Sequence, residues 1–171
     1  MWGTVSLQHS LRVSEVGHTA IPFEKQEQFQ TLKTFIQGKK GGLAKEIEGY
    51  SQLEINGVSL LDNQSEYNLA RYWELLLIEI EKNLKFDKAV NLNLNGFHSS
   101  FEAINSHSLL VAFNYKKTVV DKELFISCVL LQANLLFSTL NELQLGGDFI
   151  YHYQLDQIKR IQFQRAESRG G

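Results

Sequence analysis

The chain contains only one cysteine and one proline among its 171 residues. Cys128 cannot form a disulfide within the chain, and it lies in an apolar stretch, where a thiol behaves as a small hydrophobic side chain. A chain without disulfides suits a reducing compartment. The first ten residues also lack the basic segment followed by an apolar segment that defines a secretory signal. The sequence therefore predicts a cytoplasmic location.

An excess of basic residues is missing as well. The 17 Lys and Arg residues are outnumbered by 19 Asp and Glu residues, which gives a net charge of -2. Binding to nucleic acid depends mainly on clustered positive charge. Because the pairs Lys39-Lys40 and Lys116-Lys117 are too short to supply such a cluster, we expect no direct contact with nucleic acid.

The sequence has no recognisable catalytic or cofactor-binding motif. Zinc sites need thiolate or imidazole ligands at short spacings, and only His98 and His107 could meet across a predicted hairpin. The glycine-rich segment 38–42 is not closed by the Lys-Ser or Lys-Thr pair of a phosphate-binding loop. No Gly-x-Ser-x-Gly segment is present. We therefore expect no metal, no cofactor and no catalytic residues, and we predict that the protein is not an enzyme.

The composition is that of a globular protein. Hydrophobic residues make up 43% of the chain and aromatic residues 11%, which argues against disorder. A chain of this length can bury the core of one domain. We assign residues 1–165 to a single domain and expect residues 166–171 to form a disordered tail.

A charge-free run from Leu124 to Asn141 is the most distinctive segment. Asp121 is a suitable N-cap for a helix over this run, and Gly146 is a suitable stop. The run is long enough to cross a bilayer, but polar side chains such as Gln132 interrupt it and no basic cluster flanks one side. Because a helix that is apolar on nearly all sides must be covered, we predict a long core helix and no membrane span.

Alternating and helical patterns define the first half of the fold. Residues Thr4–Val13 alternate as in a half-buried strand, with His9 on the apolar face as a hydrogen-bonded core residue. A modest helix is predicted over Phe23–Gln37. The pair Asn56-Gly57 separates two extended segments and predicts a tight hairpin, because both residue types tolerate positive φ.

The second half begins with a predicted helix from Ser65 to about Lys85. A three-stranded meander follows over Val90–Val119, with a hairpin at Asn95-Gly96. Residues Phe149–Tyr153 favour a short strand before a final short helix or frayed strand. The predicted class is α+β, with an antiparallel sheet of hairpins and a meander packed against two or three helices, one of them long and nearly all apolar.

The order of these parts between Glu48 and about Leu143 resembles that of immunity proteins from bacterial polymorphic toxin or contact-dependent inhibition systems. The resemblance consists of the strand YSQLEING at 50–57, the segment EYNLARYW at 66–73 that opens a helix, the meander and the long apolar helix. It covers just over half of the chain and concerns architecture. It implies a cytoplasmic inhibitor that binds one cognate toxin domain and blocks its active site.

Toxins of this type are often basic nucleases, which acidic inhibitors attract by charge. The resemblance thus directs attention to exposed acidic residues and one aromatic anchor, although a net charge of -2 is less acidic than a strong nuclease inhibitor tends to be. The candidate partner-binding residues are Asp62, Glu66, Tyr67, Glu74 and Glu81. Two alternatives remain: a structural or assembly protein related to phage or secretion particles, which would use edge strands and the apolar helix, and a small-ligand enzyme or sensor with a pocket between sheet and helix. The sequence leaves the oligomeric state open.

Overall fold

A computed structural model of the protein describes residues 3–12, 21–23, 27–28, 30–31, 34, 48–62, 67–143 and 151–170. Within them the chain is an α+β protein, as predicted. The strands are β1 (Val5–Arg12), β2 (Ile21–Pro22), β3 (Glu48–Ile55), β4 (Val58–Leu61), β5 (Tyr67–Asn68), β6 (Val90–Leu94), β7 (Phe97–Ala103), β8 (Ser108–Phe113) and β9 (Lys116–Asp121). The helices are α1 (Leu69–Lys82), α2 (Lys122–Glu142) and α3 (His152–Gly170).

The strands form two antiparallel sheets where a single sheet was predicted. Sheet A has the order β2-β1-β3-β4, with β5 also paired to β3. Sheet B has the order β6-β7-β8-β9. Strand β1 matches the predicted alternation, and its full length pairs with β3 from Val5 opposite Ile55 to Arg12 opposite Glu48.

Asparagine at positive φ makes the hairpin turns tight. Asn56 has a φ of 53° and Asn95 a φ of 50°, each followed by a glycine at positive φ, which confirms both predicted Asn-Gly turns. A third turn at Asn114 and Tyr115 joins β8 to β9, with Asn114 at a φ of 51°. The predicted three-stranded meander is therefore a four-stranded one, because residues 107–119 fold back on themselves.

Side-chain caps fix where α1 and α2 begin. The Asn68 side chain accepts a hydrogen bond from the Arg71 amide at 2.9 Å, so α1 starts later than the predicted Ser65 and ends at Lys82. The Asp121 side chain accepts from the Leu124 amide at 2.8 Å, which confirms the predicted cap of α2.

The C-terminal segment differs most from the prediction. Tyr153, placed in a strand by its β-propensity, lies in α3, and α3 continues through Gly170. Residues 166–170, expected to belong to a disordered tail, are helical. Tyr151 packs its ring against Phe137 of α2, with centroids 5.3 Å apart. Tertiary packing against α2 therefore outweighs the local preference for a strand.

One continuous hydrophobic core joins both sheets to the helices. Helix α1 packs against β3 and β6, and α2 packs against β1 and β9, so both of these helices contact both sheets. Helix α3 packs on α1 and α2. This arrangement covers one face of sheet B with apolar side chains and leaves its other face to solvent, where the strand residues alternate between buried and exposed.

Helix α2 packs one side into the core, as its sequence predicts, but its other side, with Leu131 and Leu135, is exposed and not covered as expected. Its buried residues are Phe125, Ile126, Val129, Leu130, Ala133, Leu136, Phe137 and Leu140. It is also the one helix among the described residues that is long and apolar enough to cross a membrane, which is weak evidence for a span because core helices of soluble proteins meet the same criteria.

Several predictions fall partly or wholly outside the described residues. Of the helix predicted over Phe23–Gln37, Phe23 is in a turn and not in a helix, whereas residues 27, 28, 30, 31 and 34 are helical; the other positions lie outside the described residues. The glycine-rich segment 38–42 and the predicted helix stop at Gly146 lie outside the described residues.

Candidate functional site

Two of the predicted partner-binding carboxylates contact α3. The Glu81 carboxylate accepts hydrogen bonds from Gln157 Nε2 at 2.7 Å and from Arg160 Nε at 3.0 Å. Burial would raise the pKa of Glu81, but these hydrogen bonds and the charge of Arg160 outweigh it, and the pKa is lowered. Glu74 pairs with Arg71 at 3.3 Å and accepts from Gln154 at 3.4 Å. These carboxylates therefore help to hold α3 on α1.

Of the other predicted contact residues, Asp62 makes a different contact, and Glu66 is not described. Asp62 is half-buried and lies 3.5 Å from the ammonium group of Lys116, which links sheet A to sheet B. Tyr67 is in strand β5, opposite Gly49, and not in a helix as predicted. Glu66 and the side chain of Tyr67 lie outside the described residues.

His98 and His107 do not meet across their hairpin. His98 lies near the start of β7, where its amide donates to Asn114 Oδ1 at 3.0 Å. His107 lies in the turn before β8, where its carbonyl accepts from the Lys122 amide at 2.8 Å. The two histidines therefore occupy opposite ends of the β7–β8 pair. Among the described residues no three His, Cys, Asp or Glu side chains are grouped to hold a metal ion.

A buried chain of polar groups, which we call the His9 network, joins β1, β3, α1 and α2. Trp73 Nε1 donates to Ser51 Oγ at 3.3 Å, Ser51 Oγ lies 2.9 Å from His9 Nδ1, and His9 Nε2 lies 3.2 Å from the Gln132 carbonyl. One set of proton positions satisfies every link: Ser51 donates to Nδ1, and Nε2–H donates to Gln132. The expected hydrogen-bonded core role of His9 is confirmed.

The His9 network pairs a hydroxyl with an imidazole, as nucleophilic catalysis requires, but both groups are enclosed. His9 is 2% exposed and Ser51 is 1% exposed. Burial lowers the pKa of His9 from 6.5 to about 4, and the hydrogen bond to the Gln132 carbonyl only partly opposes this. The rings of Trp73 and Phe23 meet the imidazole edge-on at 4.8 and 5.5 Å. Because both groups are buried, we assign the network a structural role.

The outer face of sheet B carries an open group of polar side chains. We define the amide face as Asn91, Asn93, His98, Ser100 and Asn114, which line a shallow cavity of about 220 Å³ together with Leu92, Ser99 and Ala112. Register explains the grouping, because Asn93 lies opposite His98, and Asn91 lies opposite Ser100. The five side chains of the amide face carry amide, hydroxyl and imidazole groups, and none of the residues that line the cavity has a carboxylate, an ammonium or a guanidinium group.

Tyr115 is the chain neighbour of Asn114, a residue of the amide face. It follows Asn114 in the β8–β9 turn, and its side chain is fully exposed. The predicted three-stranded meander ran straight through Tyr115, which is wrong because the chain turns at this point. The alternation of Val90 to Leu94 already indicated that Asn91 and Asn93 face outward, whereas only the fold could place Asn114 and Tyr115 beside them.

A second exposed group is apolar and lies on the helices. Leu131 and Leu135 of α2 are 64% and 44% exposed, and Phe163 of α3 is 65% exposed. Single exposed apolar side chains are ordinary on protein surfaces.

Comparisons with known protein families, with curated proteins and with solved structures find no match to the chain.

Proposed function

We propose that this protein is a cytoplasmic, immunity-type inhibitor that binds a cognate bacterial toxin domain through the amide face and so blocks the active site of the toxin. The observation that carries the proposal is the amide face itself, a sheet surface that lines an open cavity with amide, imidazole and hydroxyl groups and continues into a turn in which the Tyr115 side chain is fully exposed. The architectural resemblance to immunity proteins gives the class of partner.

The composition of this surface favours a protein partner. Protein-binding surfaces of antibodies are enriched in tyrosine, serine and asparagine, since an aromatic ring offers a large, stiff contact and small polar groups adapt their hydrogen bonds. Tyr115 is a candidate anchor of this type, and Asn91, Asn93 and Ser100 are candidate adaptable contacts. The cavity is shallow, which suits the side chains of a docked protein better than an enclosed small molecule.

The bonds of Glu74 and Glu81 within the protein lead us to propose the amide face as the contact surface in place of these acidic residues. Glu74 and Glu81 contribute to the packing of α3, so their use in a complex would compete with bonds inside the protein. The five side chains of the amide face include no carboxylate, ammonium or guanidinium group, and the exposed Lys117 lies on the next strand, opposite Ala112. Such a surface recognises its partner by shape and hydrogen bonding more than by charge steering. We therefore propose a toxin domain without specifying a nuclease.

The test begins with the full chain as bait in extracts of its native cells, followed by purification of any stoichiometric partner. The partner's own activity is then titrated with the purified chain. We expect inhibition that reaches completion at equal amounts of the two proteins. Tyr115→Ala should weaken the complex at least about tenfold, as truncation of an aromatic anchor commonly does.

Tyr153→Ala is the matched control. Tyr153 is also an exposed tyrosine, but it lies on α3 under the guanidinium group of Arg160, away from the amide face. The Tyr153→Ala variant should inhibit the partner as strongly as the wild type does. A partner whose activity is untouched by the chain, or a complex weakened by Tyr153→Ala and not by Tyr115→Ala, would contradict the proposal.

A further inference from the structure

Strand β6 is an outer strand of sheet B, and its free edge lacks the features that normally prevent pairing with another strand. Its sequence is Val-Asn-Leu-Asn-Leu, with no charge, no proline and no irregularity in its pairing with β7. Natural proteins usually protect a free edge with lysine, proline or a bulge, because unpaired backbone groups invite another strand. None of the described residues forms a hydrogen bond along the outer edge of β6.

The adjoining hairpin decides which backbone groups point outward. Asn95 and Gly96 form a two-residue loop, and both have positive φ, so Leu94 and Phe97 are the hydrogen-bonded pair that closes it. Hydrogen-bonded and non-hydrogen-bonded pairs alternate in antiparallel strands. Leu92 and Val90 therefore direct their amide and carbonyl groups to β7, whereas Asn91 and Asn93 direct theirs away from the sheet.

The outer edge of β6 is complementary to the same edge of a second copy of the protein. If two copies of β6 run antiparallel about a twofold axis at Leu92, then Asn91 of one copy lies opposite Asn93 of the other. These are the residues whose backbone groups point outward, so each facing pair can exchange both of its hydrogen bonds. The asparagine side chains meet on the polar face of the combined sheet, and Leu92 meets its own copy on the apolar face.

Charge also favours a second copy over a foreign strand. The nearest charged residue on the N-terminal side, Lys88, would lie opposite Gly96 in this register, so no like charges face each other. A charged partner strand would gain nothing from an uncharged edge. We propose that the protein forms a twofold dimer by antiparallel pairing of β6 with β6 of a second copy, which joins the two four-stranded sheets into one. This inference does not depend on the proposed function.

Sedimentation velocity of the full chain over a concentration series tests the dimer directly. The wild type should pass from monomer to dimer as concentration rises. In the double variant Asn91→Lys and Asn93→Lys, lysines face each other twice across the axis, and the dimer should weaken about tenfold or more. In Asn91→Glu with Asn93→Lys, each carboxylate faces an ammonium group, and dimerisation should be restored to at least the wild-type level.

Val119→Lys is the matched control, since it adds a lysine to an exposed position on β9, the opposite outer strand of sheet B. It should dimerise like the wild type. Because both asparagine side chains are exposed, circular dichroism should show the same fold for every variant. A wild type that stays monomeric at all concentrations, or equal dimerisation by the two double variants, would overturn the inference.

Discussion

The two sheets use the same kinds of side chain in opposite ways. In sheet A, His9 and Ser51 point inward and are hydrogen-bonded to Trp73 and to the Gln132 carbonyl. In sheet B, His98 and Ser100 point outward and line an open cavity. The alternation of side chains along a strand decides whether each one faces the core or the solvent, because a shift by one residue moves a side chain to the other face.

The comparison separates stability from recognition. A buried polar group must find a partner within the protein, since leaving it unpaired costs about 1–3 kcal/mol. An outward polar group is already solvated and can exchange water for a partner at little cost to the fold. We therefore expect changes in the His9 network to alter folding and changes in the amide face to alter binding.

The largest expected effect is a pH dependence of stability that comes from His9. Its pKa is about 4 in the folded protein and 6.5 as an ordinary histidine, so the unfolded chain binds more protons between these values. Stability should rise with pH through this window, with the full contribution present above 6.5 and lost as pH falls to about 4. The contribution is about 3 kcal/mol, measured by urea unfolding at a series of pH values.

His9→Gln isolates this contribution from that of the carboxylates. The variant has no group that titrates at this position, so its stability should depend less on pH between 4 and 6.5 than that of the wild type. Equal slopes for the two proteins would show that His9 is not responsible.

Ser51→Ala should produce the next largest effect. The hydroxyl links the Trp73 indole to the His9 imidazole inside the core, and alanine removes both links while barely changing the volume. We expect a loss of about 2–3 kcal/mol in the free energy of unfolding. The double-mutant cycle with His9→Gln should be non-additive, because the two residues share one network. Additive losses would mean that the two groups act independently.

Neighbouring serines in β7 sharpen the contrast within one strand. Ser99 faces inward and its hydroxyl lies 2.6 Å from the Tyr72 hydroxyl, whereas Ser100 faces the cavity. Ser99→Ala should cost about 1 kcal/mol of folding free energy, and Ser100→Ala should cost less than about 0.5 kcal/mol. Chemical denaturation of the two variants side by side measures the difference, and equal losses would contradict it.

Local signals predicted much of the fold. The Asn-Gly pairs at 56–57 and 95–96 and the cap at Asp121 confirm that short motifs with a steric or hydrogen-bonding cause can be read directly. The turn at Asn114 lacks the following glycine and was therefore missed. Helix α3 was mistaken in part for a strand, because the contacts of Tyr151 with Phe137 and of Gln157 with Glu81 join residues far apart in sequence.

The candidate site was harder to predict for the same reason. Glu81 seemed free to meet a partner because nothing near it in sequence indicates that Arg160 will pair with it. The outward positions of Asn91 and Asn93 could be predicted from alternation, but their proximity to Asn114 depends on the pairing of β7 with β8, and the cavity appears only when three strands are aligned. Sequence periodicity predicts which face of a strand a side chain lies on, whereas the register between strands determines which side chains become neighbours in the site.

Tyr115→Ala should have the smallest effect on folding of the changes considered. The side chain is fully exposed in the β8–β9 turn, and surface truncations of this kind usually change the free energy of unfolding by less than about 0.5 kcal/mol. The same variant should lose most of its affinity for the proposed partner, whereas Ser51→Ala, measured where it remains folded, should bind normally. Thermal unfolding and partner titration of both variants give a two-by-two comparison. If Tyr115→Ala destabilised the protein as much as Ser51→Ala does, the turn would belong to the structural part of the molecule, and the separation between an inward network that stabilises and an outward face that binds would fail.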